Sequence, residues 1–204
     1  MAGQGLNLGI RDALILSKVI GGGKRGSMYY KLRSNQIRRD FSGKPLNLST
    51  VNENPIEQFN VWFEEAVDAQ LLDPYAMTIS TVNENGQPSI RVVYMRGVSD
   101  DGFVFYTNYL SSKGKDLMLN NKIALNFFWG AVERQVRVEG VVNKVDEPTS
   151  DIYFSNRPRE SQIGAWASSQ SSEIASREEL EEKVEFYTEK FKGTDVPRPP
   201  HWGG

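Results

Sequence analysis

Apolar positions at helical spacing begin directly after Asn54-Pro55: Ile56, Phe59, Phe63, Ala66 and Val67 recur on one face, with Trp62 beside it. Asparagine caps a helix well and proline fits the first helical position, so a helix starts here; Asp73-Pro74 ends the element. The pattern then changes to short β-rich runs, Ala76–Val82, Ser89–Met95 and Phe103–Asn108, joined by the turn sequences Asn83-Glu-Asn-Gly86 and Ser99-Asp-Asp-Gly102. Such spacing predicts hairpins. A short helix is expected over Lys113–Leu119, then strands over Ile123–Trp129 and Gln135–Val145. The near-continuous apolar run Ile123–Trp129 predicts burial on both faces, as in a closed barrel or a dimer interface. Ser176 and Glu179 form a capping-box pattern, and Leu180, Val184, Tyr187 and Phe191 then share one face of a charged helix. The stretch Val196-Pro-Arg-Pro-Pro-His-Trp-Gly-Gly204 reads as the lead into a further element.

Residues 1–27 differ from the rest. A glycine-rich turn, Gly3–Gly9, precedes a helical stretch, Ile10–Ile20, and a flexible linker, Gly21–Gly26, with Met28 just beyond. The glycines read G-x-G-x-x-x-G and follow no strand, so they are not the dinucleotide-binding fingerprint. The pattern from Met28 onward is that of one domain, and no internal repeat interrupts it.

Composition narrows the chemistry. With 204 residues, 39% hydrophobic and 25% charged, the chain can bury a core. A net charge of -2 argues against general nucleic-acid binding. There is no cysteine, which removes disulfides, thiolate catalysis and cysteine-held metals, and fits a cytoplasmic protein. The only histidine is His201, so neither a Ser-His-Asp triad nor a multi-histidine metal site is expected. No apolar run is long enough to cross a bilayer, and Arg11 and Asp12 before a short apolar run do not make a signal peptide.

Four stretches could carry chemistry. In Arg91-Val-Val-Tyr-Met-Arg96, strand alternation puts Arg91, Val93 and Met95 on one face and Val92, Tyr94 and Arg96 on the other. Its guanidinium groups could grip a phosphate, or simply solvate one face. Tyr106-Thr107-Asn108 leads to Ser111-Ser112-Lys113 at a helix start, a phosphate cradle or plain serine capping. Gln135 and Arg137 share a strand face; the amide suits the polar edge of a flavin ring, but a salt-bridged surface strand looks the same. Tyr153 and Arg157 are one helical turn apart and Ser161 follows the proline break, a phenol, guanidinium and hydroxyl set suited to a phosphate ester, or else an arginine-capped helix end. Gln170 and Ser171 add small donors in a serine-rich loop.

Read in order, Ile37–Phe41, Asn54–Phe59, Phe103–Asn108, Glu133–Gly140, Ser155–Trp166 and Gln170–Ser172 resemble the pyridoxine (pyridoxamine) 5′-phosphate oxidase family. The resemblance implies a mainly β fold, an antiparallel FMN-binding split β-barrel with flanking helices, working as a homodimer with the cofactor between subunits. It implies FMN contacts at Arg91, Val92, Val93, Tyr94, Met95, Arg96, Tyr106, Thr107, Ser112, Lys113, Gln135, Gln170 and Ser171. Substrate contacts fall on Arg96, Tyr153, Arg157 and Ser161. It further implies oxidation of pyridoxamine or pyridoxine 5′-phosphate to pyridoxal 5′-phosphate, with O2 as acceptor and hydrogen peroxide as product. Arg96 stands where the family usually has lysine, and Ser112 where it usually has arginine.

Family members continue past the Trp-Gly-Gly motif into strands bearing an Arg-Leu-His stretch near the substrate. On that comparison residues 28–204 form the FMN-binding domain without the C-terminal segment, no acid–base residue is assigned, and a non-catalytic FMN- or pyridoxal-phosphate-binding protein is the alternative. Residues 3–20 resemble a short piece of FAD-dependent aromatic or ubiquinone hydroxylases and are read as a leader outside the fold.

Overall fold

The structure, a computed structural model, describes residues 46–47 and 49–204. The expectations for the glycine-rich leader, Met28 and Ile37–Phe41 lie outside the described residues. Helix α1 spans Pro55–Asp68 and starts as its sequence dictates: the Asn54 side chain accepts from the amides of Ile56 at 2.8 Å and Glu57 at 3.4 Å. Its buried stripe is Phe59 and Ala66, flanked by Trp62 and Phe63. Val67 departs from expectation and is 47% exposed. At 3.6 residues per turn it points well round from the Phe59–Ala66 line, and Trp62 takes its place on the sheet.

Strands β1 (Ala76–Val82), β2 (Pro88–Tyr94), β6 (Lys122–Trp129) and β7 (Arg134–Val141) form a four-stranded antiparallel sheet in the order β2-β1-β6-β7. Met77, Ile79, Leu125, Phe127 and Trp129 point to one face and meet α1 there, where Phe59 lies edge-on to Phe103 and tilted against Phe127. The register carries the opposite face as a continuous surface, with Thr78 between Val92 and Asn126 and Phe128 beside Gln135. Phe128 is 72% exposed there, so the expected two-sided burial of Ile123–Trp129 does not occur among the described residues, where α1 covers only one side.

The expected third strand, Phe103–Asn108, is broken in two. Strand β4 (Gly102–Val104) pairs with β3 (Gly97–Ser99), while β5 (Thr107–Asn108) pairs with β8 (Trp202–Gly203). The break has a packing cause. Phe103 and Phe105 belong to the core under the sheet, whereas Tyr106 belongs to a second core of Phe154, Ile163, Phe191, Val196 and Trp202. The strands therefore form three sheets rather than a closed barrel among the described residues. Among the described residues the fold is mainly antiparallel sheet with five helices: α1, α2 (Ser112–Leu119), α3 (Glu147–Ser155), α4 (Arg159–Ala167) and α5 (Arg177–Lys190).

Strand β7 stops at Val141, short of the expected Val145. The Val145 amide instead donates to Gly204 O at 3.1 Å, and Asp146 caps α3. At α5 the Ser176 hydroxyl accepts from the Glu179 amide at 3.3 Å, while the Glu179 carboxylate accepts from the Ala175 amide at 2.9 Å, one residue before the expected capping-box partner. Trp202 and Gly203 are themselves strand, and a Cβ on Gly203 would lie 2.1 Å from the Tyr109 hydroxyl.

Candidate functional site

Strand β5 joins two cationic clusters. The first lies where α2 begins. The Ser111 hydroxyl caps the helix, and Gly114 lets it approach Tyr109 so closely that a Cβ would sit 2.2 Å from the Tyr109 carbonyl oxygen. This packing buries Lys113 to 7% exposure, with its ammonium donating to Thr107 Oγ1 at 3.1 Å and Ser111 Oγ at 3.2 Å. Burial first, and the neighbouring Arg91 charge second, pull its pKa down to about 8. Arg91 Nη1 donates to Thr81 Oγ1 at 2.7 Å and Ser89 O at 3.0 Å, and its Nη2 lies 3.8 Å from Asp116. Two partly desolvated cations thus lie beside a helix start, and among the described residues only Arg91 is paired with a carboxylate, that of Asp116. The surplus positive charge, the hydroxyls and the free amides fit an anion such as a phosphate.

Arg96 stands where the chain passes from one sheet to the next. The Met95 amide donates to Tyr75 O at 2.9 Å, and the Arg96 amide to Val104 O at 2.7 Å. The guanidinium of Arg96 lies 5.4 Å from the Tyr75 ring and 5.1 Å from the Tyr94 ring, and both tyrosine hydroxyls donate to Asp73, at 2.9 and 3.4 Å. It is exposed on its far side.

The second cluster surrounds Arg157. Tyr106 and Tyr153 stack at 3.8 Å with their planes 5° apart, and Trp202 continues the stack 5.5 Å from Tyr106. The guanidinium of Arg157 lies 4.4 Å from the Trp202 ring centre. Its Nη1 is buried without a hydrogen-bond partner. Burial lowers the Arg157 pKa, Tyr153 opposes the shift, and Arg96 adds to it, so the two arginines feel one another. Arg157 is not on the helix with Tyr153 as expected: α3 ends at Ser155, and the Arg157 amide turns back to Phe154 O at 3.1 Å. Ser161 sits in the first turn of α4, opened by Pro158. The arginine that caps a helix end is Arg159, which donates to the carbonyls of Phe191 and of Thr194, the latter at 2.9 Å.

Not every expected residue converges. Val93 and Met95 turn into the core, which leaves only their backbone for a ligand. Val92, Tyr94 and Gln135 lie on the open sheet face, where Gln135 donates to Asn126 Oδ1 at 2.8 Å, so their side chains are across the sheet from Arg91. Arg137 on that face pairs with Glu139 at 3.2 Å in solvent. Ser112 is exposed at the start of α2, and Gln170 and Ser171 occupy the loop between α4 and α5, bonded to neither cluster. Thr81, Asp116, Tyr75, Asp73 and Trp202 belong to the clusters and were not expected there. Among the described residues no three His, Cys, Asp or Glu side chains gather as a metal site, and no helix is long and apolar enough to cross a membrane.

Flat aromatic surfaces flanked by cations, on an antiparallel sheet with packed helices, define an α+β protein suited to planar molecules that carry phosphate. The family model described as pyridoxamine 5′-phosphate oxidase matches residues 63–190. A pyridoxine/pyridoxamine 5′-phosphate oxidase of Cytophaga hutchinsonii is 50% identical over 169 residues, 82% of this chain and 79% of that one. Its counterpart from Cupriavidus necator is 51% identical over 168 residues, with the same shares of each chain. The chain belongs to the pyridoxamine 5′-phosphate oxidase family. Among solved structures, PhzG from Burkholderia lata, in complex with tetrahydrophenazine-1-carboxylic acid, superposes with a TM-score of 0.73 at 25% identity over 80% of this chain and 81% of that one. A pyridoxamine 5′-phosphate oxidase-related, FMN-binding protein from Nostoc punctiforme shares the fold, with a TM-score of 0.56 at 14% identity over 74% of this chain and 79% of that one.

Proposed function

We propose that this chain oxidises pyridoxamine and pyridoxine 5′-phosphate to pyridoxal 5′-phosphate, using FMN and O2 and releasing hydrogen peroxide. One observation carries the reading: the buried, unpartnered Nη1 of Arg157, whose guanidinium lies over the ring of Trp202, the residue that continues the Tyr106–Tyr153 stack. A phosphate ester supplies the acceptor which that nitrogen lacks, and a buried donor left unpaired costs about 1–3 kcal/mol. Tyr153, Ser161 and Arg96 complete the substrate side. The names of the half-identical relatives support the choice of ester.

Lys113, Arg91, Thr107 and the amide of Ser112 hold the FMN phosphate in this reading, with the backbone of Arg91–Arg96 alongside. Gln135, Gln170, Ser171 and Tyr106 serve the rest of the cofactor. When bound, FMN supplies the acceptor for a hydride equivalent from the substrate carbon and the route for the electrons to O2. The chain's own contribution is orientation and charge: Arg157 and Arg96 anchor the ester at one end, and the stacked rings exclude water beside it.

We also propose a homodimer. Arg91 and Gln135 lie on opposite faces of the sheet, so one ligand reaches both kinds of group only between two copies. The open face is apolar enough to be covered, with Ile90 70%, Val92 63% and Phe128 72% exposed.

The test is anaerobic. Purified protein is mixed with FMN, freed of excess cofactor and given pyridoxine 5′-phosphate without oxygen. Bleaching of the flavin band, reversed by air, is expected. Colour that persists unchanged would remove the oxidase reading and leave a flavin-binding protein, and a colourless protein would remove the cofactor as well.

A further inference from the structure

Thr81 and Asp116 are buried polar groups to which no cofactor or substrate contact is assigned above, at 0% and 9% exposure. Thr81 follows Met77 and Ile79 on the core-facing side of β1, where packing alone is served equally well by valine. Its hydroxyl is instead used twice. It donates to Asp116 Oδ2 at 2.6 Å and accepts from Arg91 Nη1 at 2.7 Å. An ionised carboxylate can only accept, so Asp116 accepts a hydrogen bond from the Thr81 hydroxyl, whose oxygen lone pairs then face Arg91. The order of donation is fixed from Arg91 to Thr81 to Asp116.

Something must hold Arg91 there. Lys113 carries a like charge in the same partly desolvated cluster, and a long arginine side chain relieves that repulsion by swinging out to water. Asp116 opposes this, through Thr81 and directly at 3.8 Å from Nη2. Its own negative charge, however, repels an incoming anion. Charge and positioning therefore act on anion affinity with opposite signs, which makes them separable.

We infer that Asp116 and Thr81 are positioning residues: Asp116 orients the Thr81 hydroxyl, and together they hold Arg91 beside Lys113 so that both cations are set for a phosphate group before it arrives. The inference rests on the reading of Arg91 and Lys113 as the cofactor-phosphate site. Prearrangement of this kind strengthens binding by reducing the ordering left to be done in the complex.

The experiment titrates the full-length apoprotein with FMN and, separately, with riboflavin, which lacks the phosphate, and follows quenching of flavin fluorescence. Thr81→Val is expected to weaken FMN by about 10- to 100-fold, the scale of a misplaced charged hydrogen bond, with riboflavin changed by less than about twofold. Thr81→Ser, which keeps the hydroxyl, is expected to restore FMN binding. Asp116→Asn is expected to weaken FMN even though it removes a negative charge. Tighter FMN binding by Asp116→Asn would overturn the inference, as would wild-type FMN affinity in Thr81→Val or an equal loss of both flavins. If Thr81→Val does not fold, Thr81→Ser and Asp116→Asn decide the matter by the same comparison. Arg91→Ala separates the two levels: retained FMN affinity there removes the phosphate reading and the inference together. Loss in Arg91→Ala without loss in Thr81→Val removes the inference alone.

Discussion

Replacing Arg157 by methionine should move folding stability and substrate affinity in opposite directions. Methionine is unbranched, reaches about as far as the arginine Nε, and carries no donor. In the apoprotein the substitution removes one buried unpaired N–H, which relieves about 1–3 kcal/mol. It also removes the guanidinium from the Trp202 face at 4.4 Å. That contact is worth about 0.5–2 kcal/mol at a partly desolvated site. The balance centres on a small gain, within a range from a loss of about 1 to a gain of about 2.5 kcal/mol, and each kcal/mol moves the melting temperature by about 2–4 °C in a chain of this size. For a phosphorylated substrate the sign reverses. Loss of a charged hydrogen bond at about 1.5–3 kcal/mol predicts a Michaelis constant higher by roughly 10- to 100-fold. Thermal unfolding of the apoprotein and steady-state kinetics on pyridoxine 5′-phosphate measure the two halves. A variant that melts well below wild type and keeps its Michaelis constant would show Arg157 to be a structural residue, and the argument from its orphaned nitrogen would fail.

Five further outcomes rest on the same structure. Lys113 titrates at about 8 against an ordinary 10.5, so in that window the folded apoprotein has lost a proton that the unfolded chain keeps, and its stability rises with pH. FMN affinity falls as pH rises through about 8, because the anion needs the charged lysine; urea melts and flavin titrations across that range check both signs, and flat profiles would refute them. Gly114→Ala, whose Cβ would meet the Tyr109 carbonyl at 2.2 Å, should lose about 2–3 kcal/mol in urea unfolding. Gly164→Ala in α4, with nothing within 4 Å of the new Cβ, should gain roughly 0.5–1 kcal/mol. Asn54→Ala removes the acceptor for two α1 amides and should lower stability by about 1 kcal/mol in the same assay.

Legibility in the sequence followed the range of the interaction. Asn54-Pro55 marks α1 because a cap and its helix are neighbours, and the β1–β2 hairpin is legible from the turn Asn83–Gly86 for the same reason. The break at Phe105-Tyr106 is not, since both residues are apolar and only the folded chain shows that they serve different cores. Arg157 was legible as a candidate by its residue type, but its isolation from every acceptor was not. Thr81 and Asp116 are 35 positions apart, and a threonine in a β run looks like any other β-branched residue until Asp116 is seen against it. Trp202 carried no local signal, because its role depends on Tyr106 and Tyr153 arriving from elsewhere.

The short pairing of β5 with β8 also governs the order of assembly. The hairpins β1–β2 and β6–β7 close over a few residues, whereas the Tyr109 hydroxyl meets Gly204 across 95 positions of chain. Closing so long a loop is entropically slow and is repaid here by a two-residue strand. The sheet core can therefore form first, with the stack under Arg157 completed only when Trp202 docks. In the native state the same seam is expected to open, releasing Trp202, while the four-stranded sheet stays shut. Hydrogen exchange at the Tyr109 amide, which donates to His201 O at 2.7 Å, reports that opening directly.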